Sequence, residues 1–284
     1  MTPVELLTTF IAAYLAQPST AYWRAIEIAA TLRYGLPDGL GLDLGCGDGI
    51  LTDILLSGSG ARRLVGVDLD PLEAEAAAKF SFYERVHVAP GNAIPEPDGA
   101  FDFVLANSVL EHIPDLDGTI AEVSRVLRSG GKFIFTVPAP AFHDNLRGPV
   151  APGVSRKAYL ETLDRRLAHF HYLSAPRWAE MTERNGLSLD ACLGYLDRRE
   201  TRRWETLSRV TGGLLYLAFG ETKRPIEIQR SLGMRHLQNR ARLPRPVALA
   251  MSKVIEFGAS VDRNRGGWLD ANSSSCLLVA GTKK

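Results

Sequence analysis

The chain has 284 residues, 45% of them hydrophobic, and a formal charge of +1 from 33 basic and 32 acidic side chains. This is a globular composition, with apolar material for one large domain or one domain and an appendage; it excludes a disordered acidic chain and a uniformly basic nucleic-acid binder. The balance conceals two unlike parts: residues 1–194 carry 16 basic and 24 acidic side chains (net −8), whereas 195–270 carry 15 and 8 (net +7).

Val4, Leu7, Ile11 and Tyr14 or Leu15 recur at helical spacing, so the N-terminus reads as an amphipathic helix. The first basic residue is Arg24, which leaves the apolar start without the positive region of a secretion signal. Cys46, Cys192 and Cys276 are an odd, scattered set with no CxxC, so neither a disulfide framework nor a cysteine zinc site is expected. Apolar runs such as Leu214 to Phe219 are far shorter than the roughly 20 residues a membrane helix needs. A cytoplasmic location is the expectation.

Between residues 40 and 137, short apolar runs alternate with helical patterns. Strands are predicted at Leu40–Gly45, Arg63–Asp68, Arg85–Ala89, Phe101–Asn107 and Lys132–Val137. Asp70-Pro71 supplies an N-cap and a first-turn proline for a helix running through Glu73 to Lys79. Pro114-Asp115 opens another, with Ile120, Val123, Val126 and Leu127 on one face and a predicted stop at Gly130-Gly131, just past Arg128. Such alternation implies a parallel sheet covered by helices on both faces. A Pro/Gly-rich loop (138–156), helices at Ala158–His169 and Ala175–Asn185, and strands at Leu187–Leu196 and Ser274–Gly281 complete the pattern. The basic stretch 197–270 has helical periodicity and reads as an insertion between the last two strands.

The most informative stretch is LDLGCGDG, Leu42 to Gly49: a strand ending in an acid, glycines at 45, 47 and 49, then a helix start. Glycine is needed where backbone turns tightly and approaches a ligand without a Cβ. About 20 residues on, Asp68 ends the next strand, as nucleoside-binding α/β folds require. A dinucleotide fingerprint starting at Gly45 would want glycine at 50, where Ile50 stands, so a nicotinamide-dependent oxidoreductase is the remote alternative; no GK[ST] follows, which excludes a P-loop. Asp43 and Asp48 beside the loop suit a ligand bearing ammonium and sulfonium charge better than one bearing phosphates.

With these segments in view, the sequence resembles the class I S-adenosylmethionine-dependent methyltransferases, in particular the small-molecule branch related to quinone-biosynthesis methyltransferases. The resemblance is carried by LDLGCGDG (42–49), LVGVDLDP (64–71), the run from GNA at 91 to PDGAFDFV at 104, NSVLEHIPD (107–115) and LRSGGKFIFTVP (127–138), and more weakly by HYLSAPRWAEMTERNGL (171–187). It implies an α/β fold: a Rossmann-like, doubly wound, seven-stranded sheet, mostly parallel with an antiparallel last strand, plus the helical insertion. It divides the chain into N-terminal helices over the cofactor site (1–39), a cofactor-binding core (40–196), the insertion (197–270) and the last core strand (271–284).

The resemblance also assigns a cofactor, S-adenosyl-L-methionine, and residues to hold it. Asp68 would accept from both ribose hydroxyls, with Leu69 beside it, and Gly45, Cys46 and Gly47 would lie against the methionine part, with Asp43 supporting its ammonium end. Asn92 stands where the family usually has Asp, facing the adenine amino group; the backbone of Ala93 would meet the ring edge, and the Asn107 carbonyl the ammonium. Arg24 would pair with the methionine carboxylate, or be an exposed helix arginine. Asp43 and Asp68 also have a plainer reading as strand-end turn acids.

The implied reaction is methyl transfer to a small-molecule or lipid- or glycoside-type acceptor, at a hydroxyl oxygen, by in-line displacement. Carbon or nitrogen methylation, or a non-methylating reaction such as cyclisation, are the alternatives. A hydroxyl acceptor needs a base, for which His112, just past the fourth strand, and His143, on the loop after the fifth, are candidates; a packing role for His112 and a solvated one for His143 compete. His169-x-His171 lacks an evident third ligand, so no metal is expected. Base-methylating enzymes carry [DN]PP[YF] where this chain has Asn107-Ser108-Val109-Leu110, so no nucleic-acid partner is expected. In the insertion, Arg198, Arg199, Arg202 and Arg203 accompany apolar patches at Leu214–Phe219 and Val247–Val261. It reads as a helical cap with solvated arginines, an acceptor lid, a peripheral membrane surface or a homodimer face.

Overall fold

The computed structural model describes residues 1–15, 17–60, 62–219, 242–256 and 267–284, for 211–219 the backbone alone. Seven strands form one sheet: β1 Leu40–Leu44, β2 Arg63–Asp68, β3 Tyr83–Val88, β4 Phe101–Asn107, β5 Leu127–Pro138, β6 Leu187–Tyr195 and β7 Cys276–Lys283. Their order is β3-β2-β1-β4-β5-β7-β6; β7 alone runs antiparallel to both its neighbours. Period-two alternation sends Leu105, Ile134, Leu278 and Ala280 into one buried cluster, and Val104, Ala106, Phe133, Phe135, Leu277 and Val279 into another. Both faces are therefore covered, as the expected doubly wound fold requires.

On the first face lie α1 (Pro3–Ala13), α2 (Pro18–Tyr34), α3 (Ile50–Ser59) and the helices of the insertion, α9 (Arg198–Phe219) and α10 (Arg245–Glu256). The start of α1 is fixed by a capping box between Thr2 and Glu5, and its Leu6, Leu7, Phe10 and Ile11 are buried. The other face carries α5 (Leu116–Val126) and α8 (Ala175–Arg184), whose Trp178 sits edge-on to Phe135. The remaining helices are α4 (Pro71–Ala77), capped by Asp70, α6 (Ala141–Asn145) and α7 (Arg156–Leu167), capped by Ser155.

Several boundaries differ from the sequence reading, and the expected loop 138–156 holds the short helix α6. The helix expected to reach Gly130-Gly131 stops at Val126, and Leu127 is the first residue of β5, paired with Phe101. Tertiary partners decide this: Gly99 N–H donates to the Arg125 carbonyl, and Lys283 Nζ reaches the Leu127 carbonyl at 2.7 Å. Similarly, β3 begins at Tyr83, two residues early, because that ring is buried. Where described, the insertion consists of α9, α10 and short non-helical stretches such as 242–244 and 267–270, and it is tied to the body rather than standing apart. Thr8 Oγ1 meets Ser252 Oγ at 2.7 Å, and the Leu243 amide donates to the Ala12 carbonyl. The patch at Leu214–Phe219 and residues 257–261 of the second patch lie outside the described side chains.

Candidate active site

Strand order reverses between β1 and β4, and open α/β sheets bind ligands beyond the carboxyl ends of such strands. The glycine loop follows β1 here. Gly45 has φ of 71°, and a Cβ on it would come within 2.5 Å of Val109 Cγ2, so both conformation and space demand glycine. Gly47 also has positive φ (54°), but a Cβ there would meet nothing within 4 Å: the loop's outer side is open. The Gly45 and Cys46 amides both donate to the Val67 carbonyl, stitching the loop onto β2. The Cys46 side chain turns away from the open side into an apolar cluster with Leu64, Tyr83 and Phe103, where burial pushes its thiol up.

Asp68 ends β2 with one carboxylate oxygen accepting from the Gly47 amide (2.8 Å) and the other from the Asp70 amide (2.9 Å). Burial raises its carboxyl above the ordinary range, although both amides oppose this. Each oxygen keeps a second lone pair, so the group is a fixed, paired acceptor. Asp43, 3% exposed, lies beneath the loop and accepts from Thr52 Oγ1 (2.6 Å) and Tyr83 OH. Burial moves its carboxyl up to about 6. Leu69 is 71% exposed. The Asn92 amide nitrogen donates to Asp115 Oδ2 (2.8 Å), and because a carboxylate only accepts, this orients the amide and leaves its oxygen as the remaining acceptor. The Ala93 amide donates to the Pro90 carbonyl within its own turn, so a ligand ring would have to share that donor.

At the end of β4, Ser108 holds a strained φ of 50°. Its amide donates to Thr136 and its hydroxyl to Glu27 Oε1 (2.7 Å), which also accepts from Thr136 Oγ1 (2.5 Å). Glu27 is fully buried on α2, and its other oxygen takes the Arg24 guanidinium at 2.6 Å. Burial works against that cation, but the surrounding groups, Glu27 foremost and Tyr14 and Glu111 with it, together outweigh burial and hold Arg24 charged. Arg24 Nη1 is 3.5 Å from the Asn107 carbonyl, so α2 brings both residues to one place. The Asn107 side-chain nitrogen is buried without a hydrogen-bond partner.

Beyond this point the chain makes a single 3-10 turn, Leu110–His112. His112 and His143, far apart in sequence, join one network. His112 Nδ1 lies 3.0 Å from the Ala168 carbonyl, and its ring sits 5.1 Å from that of His169. His169 Nδ1 is 2.9 Å from Tyr172 OH; Tyr172 donates to Asp164 Oδ1 (2.6 Å), which His143 Nε2 also meets at 2.9 Å. Burial lowers His169 to about 3, with His112, His143 and Arg24 adding to the effect, so it is neutral at physiological pH. Phe142 stacks on Tyr172 and, with Trp23 and Trp204, makes an apolar wall beside the network. His169 and His171 do not act as a pair: His171 Nε2 goes to the Ile113 carbonyl.

Sequence reasoning missed Glu27, Glu111, Asp164 and Tyr172, and weighed His169 only together with His171. Glu111 is 1% exposed, and burial raises its carboxyl to about 8. Nothing in a helical or loop pattern marks a glutamate as buried. The nearest hints were the Arg24-to-Glu27 spacing and the place of Glu111 within NSVLEHIPD.

A switch-point glycine loop, a carboxylate closing the second strand and an open face above define a nucleoside-binding α/β domain. Residues 42–135 match the model of a methyltransferase domain family. Over 157 residues the chain is 32% identical to a Mycolicibacterium smegmatis protein described as a "probable S-adenosylmethionine-dependent methyltransferase", covering 54% of this chain and 53% of that one. Over 147 residues it is 34% identical to the sarcosine/dimethylglycine N-methyltransferase of Halorhodospira halochloris, covering 49% and 52%. The chain thus spans about half the length of these relatives. A solved structure of a geranyl diphosphate methyltransferase with its cofactor shares the fold at 15% identity and a TM-score of 0.54, covering 94% of this chain and 91% of that one. Residues 42–135 thus form a methyltransferase-type domain, similar in sequence to S-adenosylmethionine-dependent methyltransferases.

Proposed function

We propose that the protein methylates a small-molecule or lipid- or glycoside-type acceptor at a hydroxyl oxygen. The observation that carries this reading is the pairing of two half-sites across β1 and β4. On one side stand the fixed acceptor Asp68 and the open loop at Gly47. On the other, imidazoles from two distant segments gather beside an aromatic wall.

The residues present fit the cofactor. A ribose diol needs paired acceptors, which Asp68 provides, and the oriented Asn92 oxygen can accept from an adenine amino group. The unpartnered Asn107 nitrogen is a donor for the methionine carboxylate, and Arg24 lies beside the same residue. The acids Asp43 and Asp68 favour a ligand with ammonium and sulfonium charge. When bound, S-adenosylmethionine supplies an electrophilic methyl group. The chain's own contribution is alignment, exclusion of water by Trp23, Phe142 and Trp204, and removal of the acceptor proton. His143, held by Asp164, and His112 are the bases this reading assigns.

The test has two arms. Calorimetry should show S-adenosylhomocysteine binding that Asp68→Ala weakens about tenfold or more, as expected for loss of a charged double acceptor; unchanged affinity refutes the assignment. Labelled-methyl transfer into small-molecule extracts should give a product heavier by one methyl. A product of unchanged mass would favour ring closure, and label on carbon or nitrogen would overturn the oxygen assignment.

A further inference from the structure

We propose that Glu111, His112 and His169 bind one divalent transition-metal ion on the acceptor side of the site. Each offers a ligand atom, and the three atoms lie within 4.8 Å of one another. They come from segments clipped together by two hydrogen bonds: the Phe170 amide donates to the Glu111 carbonyl at 2.8 Å, and His171 Nε2 to the Ile113 carbonyl at 2.9 Å.

The outer hydrogen bonds select the nitrogen that each ring presents. His112 Nδ1 faces the Ala168 carbonyl, which can only accept, so the proton is on Nδ1 and the lone pair on Nε2. That Nε2 lies 3.9 Å from Glu111 Oε1. His169 Nδ1 faces Tyr172 OH, whose own proton goes to Asp164. The phenol oxygen therefore accepts from His169 Nδ1–H, and Nε2 is again the bare nitrogen. Pinning the distal ring proton on a carbonyl or a hydroxyl–carboxylate chain is how metal-ligating histidines are oriented and made more basic.

The independent observation is Glu111. It is 1% exposed, and its Oε2 has no hydrogen-bond partner. The nearby cation, Arg24, is paired with Glu27 instead. A carboxyl oxygen buried without a hydrogen-bond partner is available as a ligand atom once a cation displaces the proton. Two imidazole nitrogens and one carboxylate oxygen suit Zn²⁺, Fe²⁺, Co²⁺ or Ni²⁺ better than Mg²⁺ or Ca²⁺, which take oxygen ligands. Bonds of about 2.0–2.2 Å require the ligand atoms to close in by about 1 Å, within reach of side-chain rotations. His112 lies at the exposed rim, so three protein ligands leave positions for a further oxygen donor.

An acceptor hydroxyl on such an ion would lose its proton more readily, with His143 rather than the metal-bound His112 as the base. That role rests on the methyl-transfer reading; the binding itself does not. The test titrates untagged, chelator-stripped protein with Zn²⁺ by calorimetry and with Co²⁺ by visible absorption. Expected are one equivalent bound and cobalt d–d bands, both lost in His169→Ala and Glu111→Gln. Tyr172→Phe, which keeps the ring and removes only the outer hydroxyl, should weaken binding about 10- to 100-fold. No stoichiometric uptake, or uptake indifferent to all three site variants, overturns the proposal. S-adenosylhomocysteine titrated in parallel separates the two readings: its binding without metal uptake refutes the metal site alone, and metal uptake without its binding refutes the cofactor assignment alone.

Discussion

Asp43 illustrates how one residue can be plain in sequence and decided by its surroundings. It precedes the glycine loop, which suggested support for the ammonium end of a ligand, and it lies beneath the loop, held by Thr52 and Tyr83. Burial raises its carboxyl to about 6 from 3.8. The stability it contributes is therefore full below about pH 4 and is lost as pH rises through 6. Asp43→Asn should flatten the decline of thermal stability between those values, as read by melts across the range; an unchanged slope would mean the carboxyl is not perturbed in the fold. Gly45 offers a sharper case. Its φ of 71° and the 2.5 Å approach to Val109 predict that Gly45→Ala costs about 1–3 kcal/mol in denaturant unfolding. A cost near zero would show that Val109 yields freely.

Among the elements, α2 does the most to assemble the site. Its apolar positions Ile26 and Ile28 seat it on the sheet, and that seating presents Arg24 and Glu27 to the end of β4. Trp23 on the same helix meets Trp204 of α9 at 5.4 Å between ring centroids. Removing that ring by Trp204→Ala should cost about 3–5 kcal/mol by urea unfolding. It should also weaken S-adenosylhomocysteine binding, because α2 would lose its outer support. Lost stability with undiminished affinity would place the cofactor site beyond the influence of α2. The arginines of α9 do more than face solvent: Arg203 donates to the Ile255 carbonyl, and Arg209 is paired with Glu205 at 2.6 Å. Arg198 and Arg199 are the exposed pair.

For the molecule as a whole, the basic and acidic parts form one packed body where they are described. The helices of the insertion share a hydrophobic cluster with α1, α2 and strands β4, β5 and β7. Unfolding followed by tryptophan fluorescence, from rings on α2 and α9, should coincide with loss of far-ultraviolet dichroism from the sheet and helices. Two separated transitions would mean that 197–270 is an independent unit.

The sequence by itself determined the order of strands and helices, the place of the glycine loop and of Asp68 at the end of β2, and the family resemblance. These depend on local patterns: period two or 3.6 in apolar residues, caps, and glycine where φ must be positive. The tertiary structure decided the rest. It ended α5 at Val126 through carbonyl partners from Gly99 and Lys283. It turned Cys46 inward. It gathered Glu111, His112, His143, His169 and Tyr172 from segments up to about sixty residues apart. No local spacing announces such a gathering, because side-chain burial and encounter are properties of packed elements rather than of the chain between them.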